Sequence, residues 1–222
     1  MKLFKFQGWH LLWLGLLLLA VSLMINKDPN LVVGQLWGIG SSTWLWLAIL
    51  APVAHQFYVA FCWRYELYFQ GITQQFGDRG FRIYKVGFAI LILSRVLLVV
   101  LLAVSNTGTL DISFPVAALL SGLMILPVIY LFYSVFTYFG IDKAFGIDHF
   151  KPELVKNEPM VKQGIFKYTS NGMYVFGFLL LWIPGLLALS KAAILVALFN
   201  HIYIWVHYYC TELPDMKAIY RS

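Results

Sequence analysis

Six apolar runs, each comparable in length to the thickness of a bilayer core, limit what this sequence can fold into. The runs are Trp9–Ile25, Trp44–Trp63, Val86–Val104, Phe114–Phe139, Tyr174–Leu189 and Ala192–Tyr209. Each residue of a helix advances about 1.5 Å, so about 20 apolar residues cross a hydrocarbon core of roughly 30 Å. The runs therefore predict an all-α fold, a polytopic transmembrane helix bundle of about six spans.

The composition supports this class and argues against others. The chain is 61% hydrophobic and 12% charged, whereas soluble domains are about 25% charged. The net charge of +6 comes from residues scattered between the runs, so we expect no nucleic-acid partner. Cys62 and Cys210 have no metal-ligand spacing, and we expect no metal. We expect a single membrane domain over residues 1–222, with a four-span housing at 1–139.

Three connecting or terminal segments admit more than one interpretation. Lys2 and Lys5 precede the first run and Ala20-Val21-Ser22 is typical of a signal-peptide cleavage site, but we expect a retained span. Leu31–Thr43 is interrupted by glycines, which indicates an interfacial or re-entrant connection. Arg64–Lys85 is polar with regularly placed aromatic residues, which predicts a segment lying along the lipid headgroups.

The distribution of Lys and Arg predicts the orientation of the spans. With the N-terminus in the cytosol, 13 of the 16 basic residues fall on the cytosolic side, in the N-terminus, the Arg64–Lys85 loop, the Gly140–Lys167 loop and the tail. Only Lys27 and Lys191 fall on the other side, and Arg95 lies within a span. Positive residues favour cytosolic loops. We therefore expect both termini in the cytosol.

The last two runs are joined by little more than Ser190 and Lys191. So short a link requires an antiparallel helical hairpin. The hairpin returns Glu212, which follows the second run, to the membrane face of Asn171, which precedes the first. A polar turn and an acidic tail thus meet at the cytosolic surface, and we expect residues 140–222 to form the functional site.

The segment GIFKYTSNGMYVFG at Gly164–Gly177 resembles a motif of the integral-membrane methyltransferases. These are the phosphatidylethanolamine N-methyltransferase and isoprenylcysteine carboxyl methyltransferase families, which carry G-(P/x)-(Y/F)-x-(Y/x)-x-R-(H/N)-P-M-Y-x-G before a hairpin and an acidic pair after it. The matching residues are Gly164, Phe166, Tyr168, Asn171, Met173 and Tyr174, followed by Glu212, Ile219 and Tyr220. The sequence departs from the motif with Ser170 for Arg, Gly172 for Pro, Gly177 one residue late, and Thr211 before Glu212.

The resemblance implies S-adenosylmethionine as the cofactor. The residues it places in the cofactor site, with Tyr208 added for its ring, are Tyr168, Asn171, Gly172, Met173, Tyr174, Gly177, Tyr208 and Glu212. A carboxylate binds the cofactor's ammonium group, aromatic faces accept its cationic sulfur, and glycines allow close backbone approach. The alternatives are an ordinary juxtamembrane acid, an interfacial aromatic belt and tight packing.

Polar residues inside the apolar runs supply further candidates. Asn200, Tyr203, His207 and Thr211 recur on one helical face that leads toward Glu212, and this face must meet protein or a cavity. With Glu212, His207 is a catalytic candidate, as the base that takes the proton of an amine nucleophile. Its alternative role, shared with His201, is interhelical hydrogen bonding.

Arg95 lies roughly 15 Å into the bilayer, ten residues beyond Lys85. We expect it to bind a lipid phosphate, with His55 as a second substrate-binding candidate. An arginine at this depth can instead pair with a structural partner or extend to the interface.

Together these features predict an S-adenosylmethionine-dependent enzyme of the membrane, with its site facing the cytosol. The compartment would be the endoplasmic reticulum in a eukaryote and the inner membrane in a bacterium. The expected acceptor is the amine of phosphatidylethanolamine or its methylated products. The alternatives are an isoprenylcysteine carboxyl methyltransferase, an NADPH-dependent sterol-type reductase and a non-enzymatic scaffold.

Overall fold

A computed structural model describes residues 2–155, 159 and 161–220 of the chain. Two basic residues assigned above to the cytosolic side, Lys156 and Arg221, lie outside the described residues. The longer α-helices are α1 (Gln7–Lys27), α2 (Ser41–Phe69), α4 (Gly80–Ser105), α5 (Phe114–Ser134) and α11 (Lys191–His207). The shorter ones are α3 (Gly71–Phe76), α6 (Ile141–Ala144), α7 (Ile147–Phe150), α8 (Pro152–Val155), α9 (Gly172–Phe176), α10 (Trp182–Leu187) and α12 (Leu213–Tyr220).

Other elements join these helices. Turns of 3-10 helix span Lys2–Phe4, Pro29–Leu31, Gly77–Arg79, Gly164–Lys167 and Gly177–Leu181, and π-helical turns span Val135–Phe139 and Tyr208–Glu212. Strands β1 (Gln35–Leu36) and β2 (Ile39–Gly40) form a short antiparallel hairpin. The all-α prediction is confirmed.

Five helical segments of the described chain are long and apolar enough to cross a membrane. They are Gln7–Lys27, Ser41–Phe69, Gly71–Ser105, Phe114–Phe139 and Lys191–Tyr220. The fifth predicted run forms a shorter apolar segment, Gly172–Leu187, in which a 3-10 turn separates α9 from α10. The count of six spans therefore stays a prediction.

Helix α2 lies at the centre of the bundle and packs against α4 and α11. Leu45, Ile49, Leu102 and Val196 are among the fully buried side chains between these helices. Helix α1 fully buries only His10, Leu14 and Val21, and most of its other apolar side chains are exposed, as in a helix that faces lipid on one side. Helix α5 packs against α10.

Buried Asn106 fixes the bundle end that holds the turn between α10 and α11. Its Oδ1 accepts hydrogen bonds from Ser190 Oγ at 2.9 Å and from Ala192 N at 3.0 Å. Its Nδ2 donates to the backbone oxygens of Asn30 and Val33, both at 2.8 Å. Ser190 also caps α11 by accepting from Ala193 N. The tight link predicted between the last two runs is confirmed.

The Arg64–Lys85 segment differs from its predicted form. Helix α2 continues to Phe69. The left-handed backbone of the next residue, Gln70, with a φ of 51°, ends the helix, and α3 and α4 follow. Arg64 is accordingly part of α2 and buried, so the connection does not begin at Arg64 as predicted, and its place along the headgroups stays a prediction. The connection Leu31–Thr43 contains the β-hairpin, and its last residues already belong to α2.

Candidate functional site

A cavity of about 380 Å³ lies among α2, α4, α5, α11 and the segment Gly172–Leu187. Its wall is mostly apolar, with side chains such as Val59, Phe88 and Leu131. Six of the residues selected from the sequence line this cavity: His55, Arg95, Met173, Tyr174, Gly177 and His207. The fold thus brings substrate, cofactor and catalytic candidates from four separate segments to one place.

Three other cofactor candidates lie away from the cavity wall. Tyr168 is 72% exposed. The backbone oxygen of Asn171 accepts from Tyr174 N at 3.0 Å and begins α9. A Cβ on Gly172 would lie 3.2 Å from Ile165 Cγ2, so this glycine permits close packing against the 3-10 turn Gly164–Lys167. None of these three residues lines the cavity.

Glu212 and Tyr208 join the cavity through Tyr174. The hydroxyl of Tyr174 donates a hydrogen bond to the Glu212 carboxylate. The ring of Tyr208 meets the ring of Tyr174 edge-on, with centroids 5.9 Å apart. Both partners sit in the π-helical turn Tyr208–Glu212, and such turns are frequent at functional sites. The hairpin therefore places the acidic residue beside the motif, as predicted.

Arg95 is held inside the bundle by neutral side chains. Its Nε and Nη2 donate to Asn200 Oδ1 at 3.0 and 2.8 Å, and its Nη1 contacts His55 Nδ1 at 3.0 Å. The guanidinium also lies 5.0 Å from the centroid of the Phe178 ring. The side chain is 1% exposed, so it does not extend to the interface. No carboxylate within the described ranges forms an ion pair with it.

The contact with Arg95 determines the tautomer of His55. Guanidinium groups only donate, so His55 Nδ1 accepts and the ring proton lies on Nε2. This Nε2 is buried and has no hydrogen-bond partner among the described residues. Arg95 and His55 therefore both present donors at the cavity, which suits an anionic group.

The polar face of α11 is buried, as predicted. Asn200, Tyr203, His207 and Thr211 are each at most 3% exposed. His10 Nε2 lies 2.8 Å from the Tyr203 hydroxyl. His201 accepts a hydrogen bond from Trp182 Nε1 at 3.3 Å, so its expected interhelical role is confirmed. Nδ1 of His207 is buried and has no hydrogen-bond partner in the part of the chain that is described.

Behind the π-helical turn lies an ion pair that sequence reasoning missed. Arg64 Nε donates to both carboxylate oxygens of Asp215, at 3.2 and 3.1 Å, and both side chains are 1% exposed. Arg64 Nη2 donates to the backbone oxygen of Cys210 at 3.0 Å, and Nη1 to those of Leu3 and Lys5 at 3.1 and 2.7 Å. Arg64 thus joins the N-terminal segment to the turn that carries Glu212.

His149 packs beside this ion pair without adding charge to it. Its ring stacks on Trp63 with centroids 4.1 Å apart, and its Nε2 lies 3.9 Å from Asp215. Burial, reinforced by the positive charge of Arg64, lowers the pKa of His149 to about 3. Its ring is therefore neutral at physiological pH, and the charged partner of Asp215 is Arg64.

Similarity to a known protein family lies in about the C-terminal half of the chain. Residues 116–222 match the model of a family described as phospholipid methyltransferase. The match includes most of α5, the motif segment, the hairpin and the tail, and so contains Tyr174, His207 and Glu212. No curated protein and no solved structure matches the chain significantly. The described residues contain no group of three or more His, Cys, Asp or Glu side chains placed to hold a metal ion.

Proposed function

We propose that this chain methylates a lipid amine using S-adenosylmethionine. The premise is the match of residues 116–222 to the phospholipid methyltransferase family. The proposed acceptor is phosphatidylethanolamine or one of its methylated derivatives. The observation that carries the proposal is the shared cavity, which joins Tyr174 and His207 of the matched region to Arg95 and His55 of the preceding helices.

The residues beside Tyr174 fit the proposed cofactor. The Glu212 carboxylate, oriented by the Tyr174 hydroxyl, offers a partner for an ammonium group. The rings of Tyr174 and Tyr208 offer aromatic faces to a cationic sulfur. A Cβ on Gly177 would lie 3.1 Å from Leu131 Cδ2, so the glycine lets this segment pack closely against α5. When bound, S-adenosylmethionine would supply the methyl group of its sulfonium. The C–S bond breaks as the methyl group passes to the nitrogen, and the electron pair of that bond stays on sulfur.

The preceding helices supply the acceptor side of the site. Arg95 and His55 hold a lipid phosphate with their donors, and the apolar wall contacts the hydrocarbon part of the lipid. His207 receives the proton that the headgroup ammonium must lose before its neutral nitrogen can attack the methyl group. Burial of these groups away from water strengthens each polar contact. The protein's contribution is then mainly to position and desolvate the two reactants.

Glu212→Gln tests the cofactor assignment. Losing one charge-assisted hydrogen bond is expected to cost about 1.5–3 kcal/mol, which weakens S-adenosylmethionine binding roughly 10- to 150-fold. The measurement is the thermal stabilisation of the detergent-purified protein by S-adenosylhomocysteine, which should shrink in the variant.

Glu153→Gln, at an exposed glutamate, is the matched control and should respond like the wild type. Stabilisation by NADPH in place of S-adenosylhomocysteine would instead support a sterol-type reductase. Equal cofactor affinity in Glu212→Gln and wild type would remove Glu212 from the site.

The proposed orientation places both termini and the site in the cytosol. Single cysteines introduced at the exposed positions Lys162 and Lys217 are expected to react with a membrane-impermeant reagent only from the cytosolic side. A cysteine at exposed Asp111, in the loop after α4, should react only from the other side. The native Cys62 and Cys210 are buried and should stay unlabelled. Labelling of Lys162 from the side of Asp111 would reject the cytosolic site.

A further inference from the structure

Gln56 is a buried polar residue of the cavity whose amide has no hydrogen-bond partner in the described part of the chain. It lies on α2 directly after His55, lines the same cavity and is 1% exposed. Neither its Oε1 nor its Nε2 has a hydrogen-bond partner among the described residues. A buried polar group without a partner is costly. A ligand in the cavity is the natural source of the missing bonds.

The polar groups around the cavity offer such a ligand both hydrogen-bond donors and hydrogen-bond acceptors. Arg95 and the Nε2 of His55 are donors, as their mutual contact requires. Gln56 adds an acceptor, Oε1, beside a donor, Nε2, and the buried Nδ1 of His207 also has no partner in the described chain. A headgroup that combines an anion with an N–H donor complements this set, because the donors take the anion and Gln56 Oε1 takes the N–H.

We infer that Gln56 determines specificity by accepting an N–H of the acceptor amine, an inference that rests on the function proposed above. A neutral primary amine has two N–H groups, its monomethyl derivative has one, and its dimethyl derivative has none. As the N–C bond forms, the nitrogen becomes positive and its remaining N–H bonds become stronger donors. The dimethyl acceptor leaves Gln56 Oε1 unpaired, so Gln56 favours the first two methyl transfers over the third.

The test compares three acceptors in one preparation. Wild type, Gln56→Leu and Gln56→Met are supplied with labelled S-adenosylmethionine and with phosphatidylethanolamine or its monomethyl or dimethyl derivative in mixed micelles. The quantity measured is the ratio of kcat/KM for the primary amine to kcat/KM for the dimethyl amine. This ratio does not depend on how much of each preparation is folded. Gln75→Leu, at an exposed glutamine of α3, is the matched control.

We expect the ratio to fall about 10-fold or more in both Gln56 variants, because a site that pairs with a substrate N–H rejects the analogue that lacks it. The control should keep the wild-type ratio. An unchanged ratio in active Gln56 variants would overturn the inference alone. Equal loss of activity on all three acceptors would also overturn it, since Gln56 would then act on every acceptor alike. A wild type inactive on all three would overturn the proposed function as well.

Discussion

Replacing Arg64 with Met is expected to lower the free energy of unfolding by about 3–5 kcal/mol, because it leaves the Asp215 carboxylate in the interior without its charged partner. Both side chains of this pair are 1% exposed. The backbone oxygens of Leu3, Lys5 and Cys210 lose donors at the same time. The measurement is unfolding of the purified protein by titration with SDS in mixed micelles.

Two further variants make the Arg64 result specific. Lys85→Met breaks the ion pair with Asp142, whose side chains are 31% and 58% exposed. That change should cost less than about 1 kcal/mol. Adding Asp215→Leu to Arg64→Met should recover part of the loss, since it removes the unpaired carboxylate. Equal stability of Arg64→Met and Lys85→Met would show that the buried pair does not hold the π-helical turn in place.

Replacing Arg95 with Met is expected to raise the phospholipid concentration for half-maximal rate on the order of 100-fold. The proposed phosphate would lose its charged donor, and each hydrogen bond to a charged group contributes about 1.5–3 kcal/mol. Arg95→Lys should recover only part of the affinity, because an ammonium cannot reproduce the planar fork that contacts Asn200 and His55. The rate is measured with labelled S-adenosylmethionine over a range of lipid concentrations.

The control for this prediction is Arg82→Met, which changes an exposed arginine on the same helix and should leave the lipid affinity unchanged. Cofactor affinity is measured in the same preparations. If Arg95 only holds Asn200 and His55 in place, Arg95→Met should lose stability and cofactor binding together. That result would contradict a phosphate-binding role, as would full activity in a stable Arg95→Met protein.

Features that depend on local pattern were predictable from the sequence. The apolar runs give the helices, and the short link at Ser190 and Lys191 requires the hairpin that brings Glu212 next to Tyr174. The spacing of Asn200 and His207 places them on one buried face of α11. Each of these predictions needs only helix geometry and the cost of exposing polar groups to lipid.

Features that depend on distant partners were not predictable. Arg64 follows an apolar run and looks like a cytosolic loop residue, but it pairs with Asp215, 151 positions away. Gln56 is a single amide within an apolar helix, and nothing local distinguishes a ligand-facing amide from a packed one. The 3-10 turn Gly177–Leu181 interrupts a run whose hydropathy is continuous. Tertiary packing decides all three.

Methyl transfer by the purified wild-type protein tests the central claim most directly. The protein is incubated in mixed micelles with labelled S-adenosylmethionine and phosphatidylethanolamine, and the lipid products are separated and counted. Parallel reactions contain no lipid, an isoprenylcysteine acceptor, or the Glu212→Gln variant. The account predicts labelled methylated phospholipid that requires the phospholipid and falls strongly in the variant. Absence of labelled phospholipid at saturating cofactor and lipid, in protein that is folded and binds S-adenosylhomocysteine, would contradict it.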